Sequence, residues 1–93
     1  NRLIQKAAYD EIWAKPGLSM RDKSLITISA LIAMGKEEQS RIHMRGFLNS
    51  GGSIEEIERT IIHLYIYCGF PAAMNGYQAL NDVRKQIEKP DHD

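Results

Sequence analysis

Residues 53–69 read Ser53-Ile54-Glu55-Glu56-Ile57-Glu58-Arg59-Thr60-Ile61-Ile62-His63-Leu64-Tyr65-Ile66-Tyr67-Cys68-Gly69, and this stretch decides the fold class. Ser53 followed three residues later by Glu56 is a capping box, in which hydroxyl and carboxylate satisfy backbone N–H groups at a helix start. Ile54, Ile57, Ile61, Leu64 and Cys68 then recur at helical spacing as one stripe, with Ile62, Tyr65 and Ile66 widening it. Gly69-Phe70-Pro71 breaks the run, and Pro71 suits the first turn of a further helix carrying Ala72, Ala73, Tyr77, Leu80, Val83 and Ile87.

Working outward, the same punctuation yields three earlier helices. Residues 3–13 carry Leu3, Ile4, Ala7, Ala8 and Ile12 and stop before Lys15-Pro16-Gly17, which predicts a short amphipathic helix. Ser19 with Asp22 opens the second, which ends near Gly35. The third spans residues 37–49 and stops at Ser50-Gly51-Gly52, where glycine supplies the left-handed conformation after the last turn. No alternation at period two argues for a strand, so the expected class is all-α, about five helices in one domain over residues 1–93. The polar tail from Pro90 is expected to fray. Residues 25–34 are apolar nearly all the way round, which in water demands cover on several sides. A domain of 93 residues buries only about two-thirds of its unfolded surface, so a homo-oligomer is expected.

Composition excludes several functions. Twelve basic against twelve acidic residues leave zero net charge, with no field to gather a polyanion, so nucleic acid is not an expected partner. The longest apolar run is about half a membrane span, and no secretory signal is visible. One cysteine allows no internal disulfide and no cysteine-paired zinc knot, which fits a reducing, cytoplasmic compartment. Two histidines twenty residues apart, His43 and His63, lack a third clear ligand, so no metal is expected.

Several side chains could carry chemistry, and each has a plainer alternative. His43, midway along the third helix, is the candidate general acid; otherwise it is a half-exposed helix histidine without a role. His63 shares a helix face with Arg59 and Glu56, as a relay or as a solvated salt-bridge ladder. Cys68 reads as an inert thiol in the apolar stripe. Arg41 and Arg45 share a face and could grip a carboxylate, or pair with Glu37, Glu38 or a neighbouring subunit.

The order of five motifs adds to this reading. They are residues 13–19 (Trp-Ala-Lys-Pro-Gly-Leu-Ser), 21–27 (Arg-Asp-Lys-Ser-Leu-Ile-Thr), His43-Met44-Arg45-Gly46 with Asn49-Ser50-Gly51, 53–57 (Ser-Ile-Glu-Glu-Ile) and 67–73 (Tyr-Cys-Gly-Phe-Pro-Ala-Ala). Together, over residues 12–84, they resemble the carboxymuconolactone decarboxylase family. One branch of that family, similar to alkyl hydroperoxidase D, uses a Glu and a Cys-x-x-Cys with a following His. Aligning that His with His43 puts Ser24 at the glutamate position and Lys36 and Gln39 at the cysteines, so both thiols are missing. The other branch resembles γ-carboxymuconolactone decarboxylase, which lacks the cysteine pair and needs neither metal nor organic cofactor.

That resemblance implies a lyase acting on a small carboxylated lactone in aromatic-compound degradation, within the β-ketoadipate pathway. The substrate serves as its own electron sink, so the protein needs an apolar cavity, a donor or cation for the developing enolate, and an acid. The roles it suggests are His43 as the acid, Arg45 or Arg41 as the anion partner, and Trp13, Leu18, Phe47 and Tyr67 as walls. Positions i and i+2 on a helix point about 200° apart, so His43 and Arg45 converge only if subunits share the site. The family's trimer-of-dimers hexamer agrees with the over-apolar second helix, and a further helix is expected before Asn1. Two other functions stand beside this one: a non-catalytic oligomeric domain that binds small ligands, and a redox protein working through Cys68.

Overall fold

The computed structural model describes residues 2–88 and is all-helical among them. Helix α1 (Arg2–Ala8) runs directly into a π-helical turn (Tyr9–Trp13), followed by α2 (Met20–Ala33), α3 (Glu37–Asn49), α4 (Ile54–Cys68) and α5 (Phe70–Glu88). The tail from Pro90 lies outside the described residues.

Helix starts follow local chemistry. At α4 the Ser53 hydroxyl accepts from the Glu56 amide at 3.1 Å while the Glu56 carboxylate accepts from the Ser53 amide at 2.9 Å, completing the capping box. At α2 the Ser19 hydroxyl accepts from the Asp22 amide. Helix α3 stops where Gly51 turns to φ 105°, a left-handed conformation that a side chain would strain. Pro71 sits in the first turn of α5, where its missing N–H costs nothing.

Helix α2 lies in the middle and packs against α3, α4 and α5. Its Ile28 and Ile32 meet Met44 and Phe47 of α3, Ile57, Ile61 and Leu64 of α4, and Ala73, Ala79, Leu80 and Val83 of α5 in one core. Fully burying a side chain such as Ile57 stabilises the fold by about 1.5–3 kcal/mol. Close approach of α5 to α2 needs Gly76, which is itself buried.

Two expectations are corrected. The N-terminal helix forms but buries no residue, and its last five residues are π-helical rather than α-helical. Ile62 and Ile66 do not join the α4 stripe; both are exposed, as are Tyr77 and Ile87 on α5. Even with three helices against α2, Ile26 on it and Met34 just past its end stay exposed, so the single chain does not supply all the cover this apolar stretch demands. Among the described residues no helix is long and apolar enough to cross a membrane.

Candidate active site

The site begins at the junction between the π-helical turn and α2. The i→i+5 bond from the Ala14 amide to the Tyr9 carbonyl, 2.8 Å, closes the wide turn and leaves the last carbonyls short of backbone donors, Ile12 taking only the Lys15 amide at 3.4 Å. Lys23, in the first turns of α2, satisfies them: its Nζ donates to the carbonyls of Ile12 at 3.2 Å, Trp13 at 2.7 Å and Lys15 at 2.6 Å. The chain then reverses through Gly17, whose φ of 117° suits glycine, and re-enters α2.

This loop leaves a mostly apolar cavity of about 510 Å³ against α2, lined by Ile12, Trp13, Lys15, Pro16, Gly17, Leu18, Lys23, Ile26 and Thr27. The Thr27 hydroxyl donates to the Lys23 carbonyl at 2.8 Å and so has a partner within its own helix. A larger, more open groove of about 820 Å³ lies along α1, lined by exposed residues such as Arg2, Leu3, Lys6 and Asp10; it contains none of the candidate residues.

His43 reaches this region from α3. Its ring stacks on Trp13 with centroids 6.3 Å apart and planes 13° from parallel, within the offset-stacked range. The imidazole is half-buried. Three of the candidate residues are thus brought to one place: Trp13 and Leu18 as cavity walls, and His43 against Trp13.

The other candidates lie elsewhere. Arg41 pairs with Asp82 at 3.3 Å and Arg45 donates to the Gln86 side chain at 3.0 Å, so both bind α5 and not Glu37 or Glu38. Two residues from His43 in either direction, they project to the far side of α3, as helix geometry requires. Phe47 is a core residue and lines a different cavity of about 200 Å³, with Met20, Arg21, Ser24, Ser50, Gly51 and Gly52. The Arg21 guanidinium lies 5.6 Å over the Phe47 ring and pairs with Glu56. Tyr67 is 72% exposed at the end of α4, its ring 5.0 Å from His63.

The shared face of Glu56, Arg59 and His63 forms neither relay nor ladder. Glu56 turns to Arg21, Arg59 pairs with Glu55 at 3.7 Å, and His63 meets Tyr67. Cys68 is half-buried and packs against the core. Lys15 and Lys23, the cations that line the His43-side cavity, were not singled out from sequence. Lys15 reads there as turn punctuation, and nothing local shows that Lys23 reaches back eight to eleven residues.

Comparison with known proteins agrees with this architecture. The family model for the carboxymuconolactone decarboxylase family matches residues 1–82. The 4-carboxymuconolactone decarboxylase of Acinetobacter baylyi is 34% identical over 84 residues, covering 90% of this chain and 63% of its own length. The nitrosuccinic acid decarboxylase of Metarhizium robertsii is 27% identical over 96 residues, covering 97% of this chain and 67% of its own length. The chain thus spans roughly two-thirds of the curated relatives it matches. A family match running through the motif-bearing loop, His43 and the α4–α5 junction leaves one conclusion: the chain belongs to the carboxymuconolactone decarboxylase family.

Proposed function

We propose that the chain is a carboxy-lyase that needs no cofactor and decarboxylates a small acid carrying its own electron acceptor, in the first instance a carboxylated unsaturated lactone. The observation that carries this reading is the stacking of His43 on Trp13, a wall of an apolar cavity. The relatives' names support the reaction class. Carboxymuconolactone bears its carboxylate on a saturated ring carbon that becomes conjugated with the unsaturated lactone carbonyl once carbon dioxide leaves, and nitrosuccinate bears one on the carbon that holds the nitro group. In both, the electron pair left by carbon dioxide delocalises onto the substrate's own oxygen atoms.

The site supplies what such a substrate lacks. Apolar walls from Ile12, Trp13, Leu18 and Ile26 favour loss of charge from the carboxylate, while Lys15 brings a positive charge to the lining. The carbon–carboxylate bond breaks, its electron pair moves to the acceptor oxygen, and the His43 imidazolium then protonates carbon. Solvent returns the proton to His43, so each turnover consumes one proton and releases one carbon dioxide. Apolar side chains left exposed by the single chain, among them Ile66 and Phe70, support assembly into a homo-oligomer.

Proton NMR of carboxylated muconolactone incubated with metal-free protein in D₂O tests the reading. Wild type is expected to release carbon dioxide and place deuterium on carbon. His43→Gln is expected to lower turnover by about 10²–10⁴-fold, the usual contribution of a general acid. Turnover of a nitro-substituted carboxylate alone would keep the reaction class and replace the substrate. Inertness toward both would leave a ligand-binding role, in which His43→Ala does not change affinity.

A further inference from the structure

Trp13 occupies one position on His43, yet it belongs to a segment that hydrophobic burial does not hold. No residue of α1 or the π-helical turn is buried, and the Lys6–Asp10 pair, 3.1 Å apart, is internal to the segment. What fastens its end to the body starts from one atom. An ammonium has three N–H donors, and the Nζ of Lys23 has three carbonyl acceptors, those of Ile12, Trp13 and Lys15, at 2.6–3.2 Å. Those carbonyls lie at and just past the end of a helix, where acceptors are short of backbone donors, Ile12 taking only the Lys15 amide at 3.4 Å, and the backbone dipoles concentrate negative charge. Charge-assisted bonds of this kind are stronger than neutral ones.

We infer that Lys23 is a positioning residue: by capping the π-helical turn from α2, it holds Trp13 against His43 and sets the wall of the cavity. Its donors are spent on the backbone, so it acts on the acid through Trp13 and not on substrate. Arginine would not replace it simply, since a planar fork does not converge on three carbonyls as an ammonium does. The geometric part of this inference stands on the hydrogen bonds and the ring contact. Its kinetic consequence rests on the proposed decarboxylase reading.

Trp13 is the sole tryptophan in the sequence, which provides a readout independent of turnover. An indole held in one geometry against a second ring gives a near-ultraviolet circular-dichroism band and is shielded on one face, so wild type is expected to show such a band and protection of its fluorescence from acrylamide. Both should weaken in His43→Gln, which removes the stacked ring. Both should also weaken in Lys23→Met, which keeps the aliphatic stem and removes the donors, with the helical far-ultraviolet signal retained. Should Lys23→Met not fold, Lys23→Gln, of similar length and with one donor group, takes its place. With a substrate that wild type turns over, Lys23→Met is expected to lower kcat by about 10–100-fold, the cost of a small misplacement of a catalytic group, with KM little changed.

A folded Lys23 variant with the wild-type tryptophan band and acrylamide protection would overturn the inference, even if the enzyme is an active decarboxylase. So would a wild-type band and protection that survive in His43→Gln. Loss of both signals in both variants supports it, and does so whether or not the carboxylated lactone proves to be the substrate.

Discussion

Gly76 shows how much a single missing methyl group can decide. A Cβ built there would stand 3.0 Å from two carbons of Ile32 and 3.1 Å from a third, tight enough that Ile32, itself buried in the core, would have to give by a few tenths of an ångström. Gly76→Ala is therefore expected to destabilise the domain even though alanine is the better helix former. The crowding term of about 1–3 kcal/mol exceeds the propensity gain of about 1 kcal/mol. Urea unfolding checks it, and combining the change with Ile32→Val should recover part of the loss. The Arg84–Glu58 pair, 2.7 Å apart, sets a second residue-level test. Its hydrogen bond to Glu58 raises the Arg84 guanidinium above its ordinary value, against a lowering by partial burial. A raised cationic group stabilises the fold below its unfolded value and loses that contribution only as pH climbs through the folded one, in strong alkali. Around neutrality the pair should therefore show no pH dependence from Arg84. Both side chains are about one-third exposed, and a double-mutant cycle is expected to give a coupling of only about 0.2–1 kcal/mol, reduced by salt. At this scale the sequence marks His43 by its chemistry but not its neighbour. Trp13 lies thirty residues away on another element, and no local pattern encodes that stacking.

Helix starts were the most legible elements, because a cap is written within four residues. Ser53 and Glu56 announce α4, and both reciprocal bonds are present. Ser53→Ala is expected to cost about 1 kcal/mol. By calorimetry that corresponds to a fall in Tm of about 4–8 °C for a domain of this size. Glu56 does more than its cap position reveals, since it also pairs with Arg21 of α2 and so couples two helices. Glu56→Gln should keep most of the cap and lose that link. Less legible was what each helix faces. The apolar pattern at Ile62 and Ile66 shows that these side chains favour burial, not which surface would cover them, and in the single chain none does. The same holds for Arg41 and Arg45: their shared face was readable, but their α5 partners, forty-one residues on, were not.

For the whole molecule, the exposed apolar side chains on α2, α4 and α5 bear on assembly. Ile26, Met34, Ile62, Ile66 and Phe70 are each more than half exposed. The expected outcome is an oligomer whose Tm rises with protein concentration, as linkage requires when association stabilises the folded state. Light scattering of wild type beside Ile66→Glu checks it, and a monodisperse wild-type monomer would contradict it. All-helical class, five helices and their order could be read from periodicity and caps; that the first helix buries no residue could not, because an amphipathic pattern looks the same whether or not its apolar side is covered.

The π-helical turn has a further consequence, for tolerance to insertion and deletion. A wide turn accommodates one residue more than an α-helical turn would, so one residue lost between Tyr9 and Ile12 is absorbed by a return to ordinary winding, whereas one gained or lost within α1 swings everything upstream of it by about 100° relative to Trp13. In most proteins such a phase slip would turn a packed face outward. Here α1 has no buried face to lose, while Trp13 is registered from downstream by the bonds to its own carbonyl and its neighbours'. Length changes before Tyr9 are thus mechanically insulated from the site, whereas a single residue gained or lost between Trp13 and Lys23 would be felt by it directly.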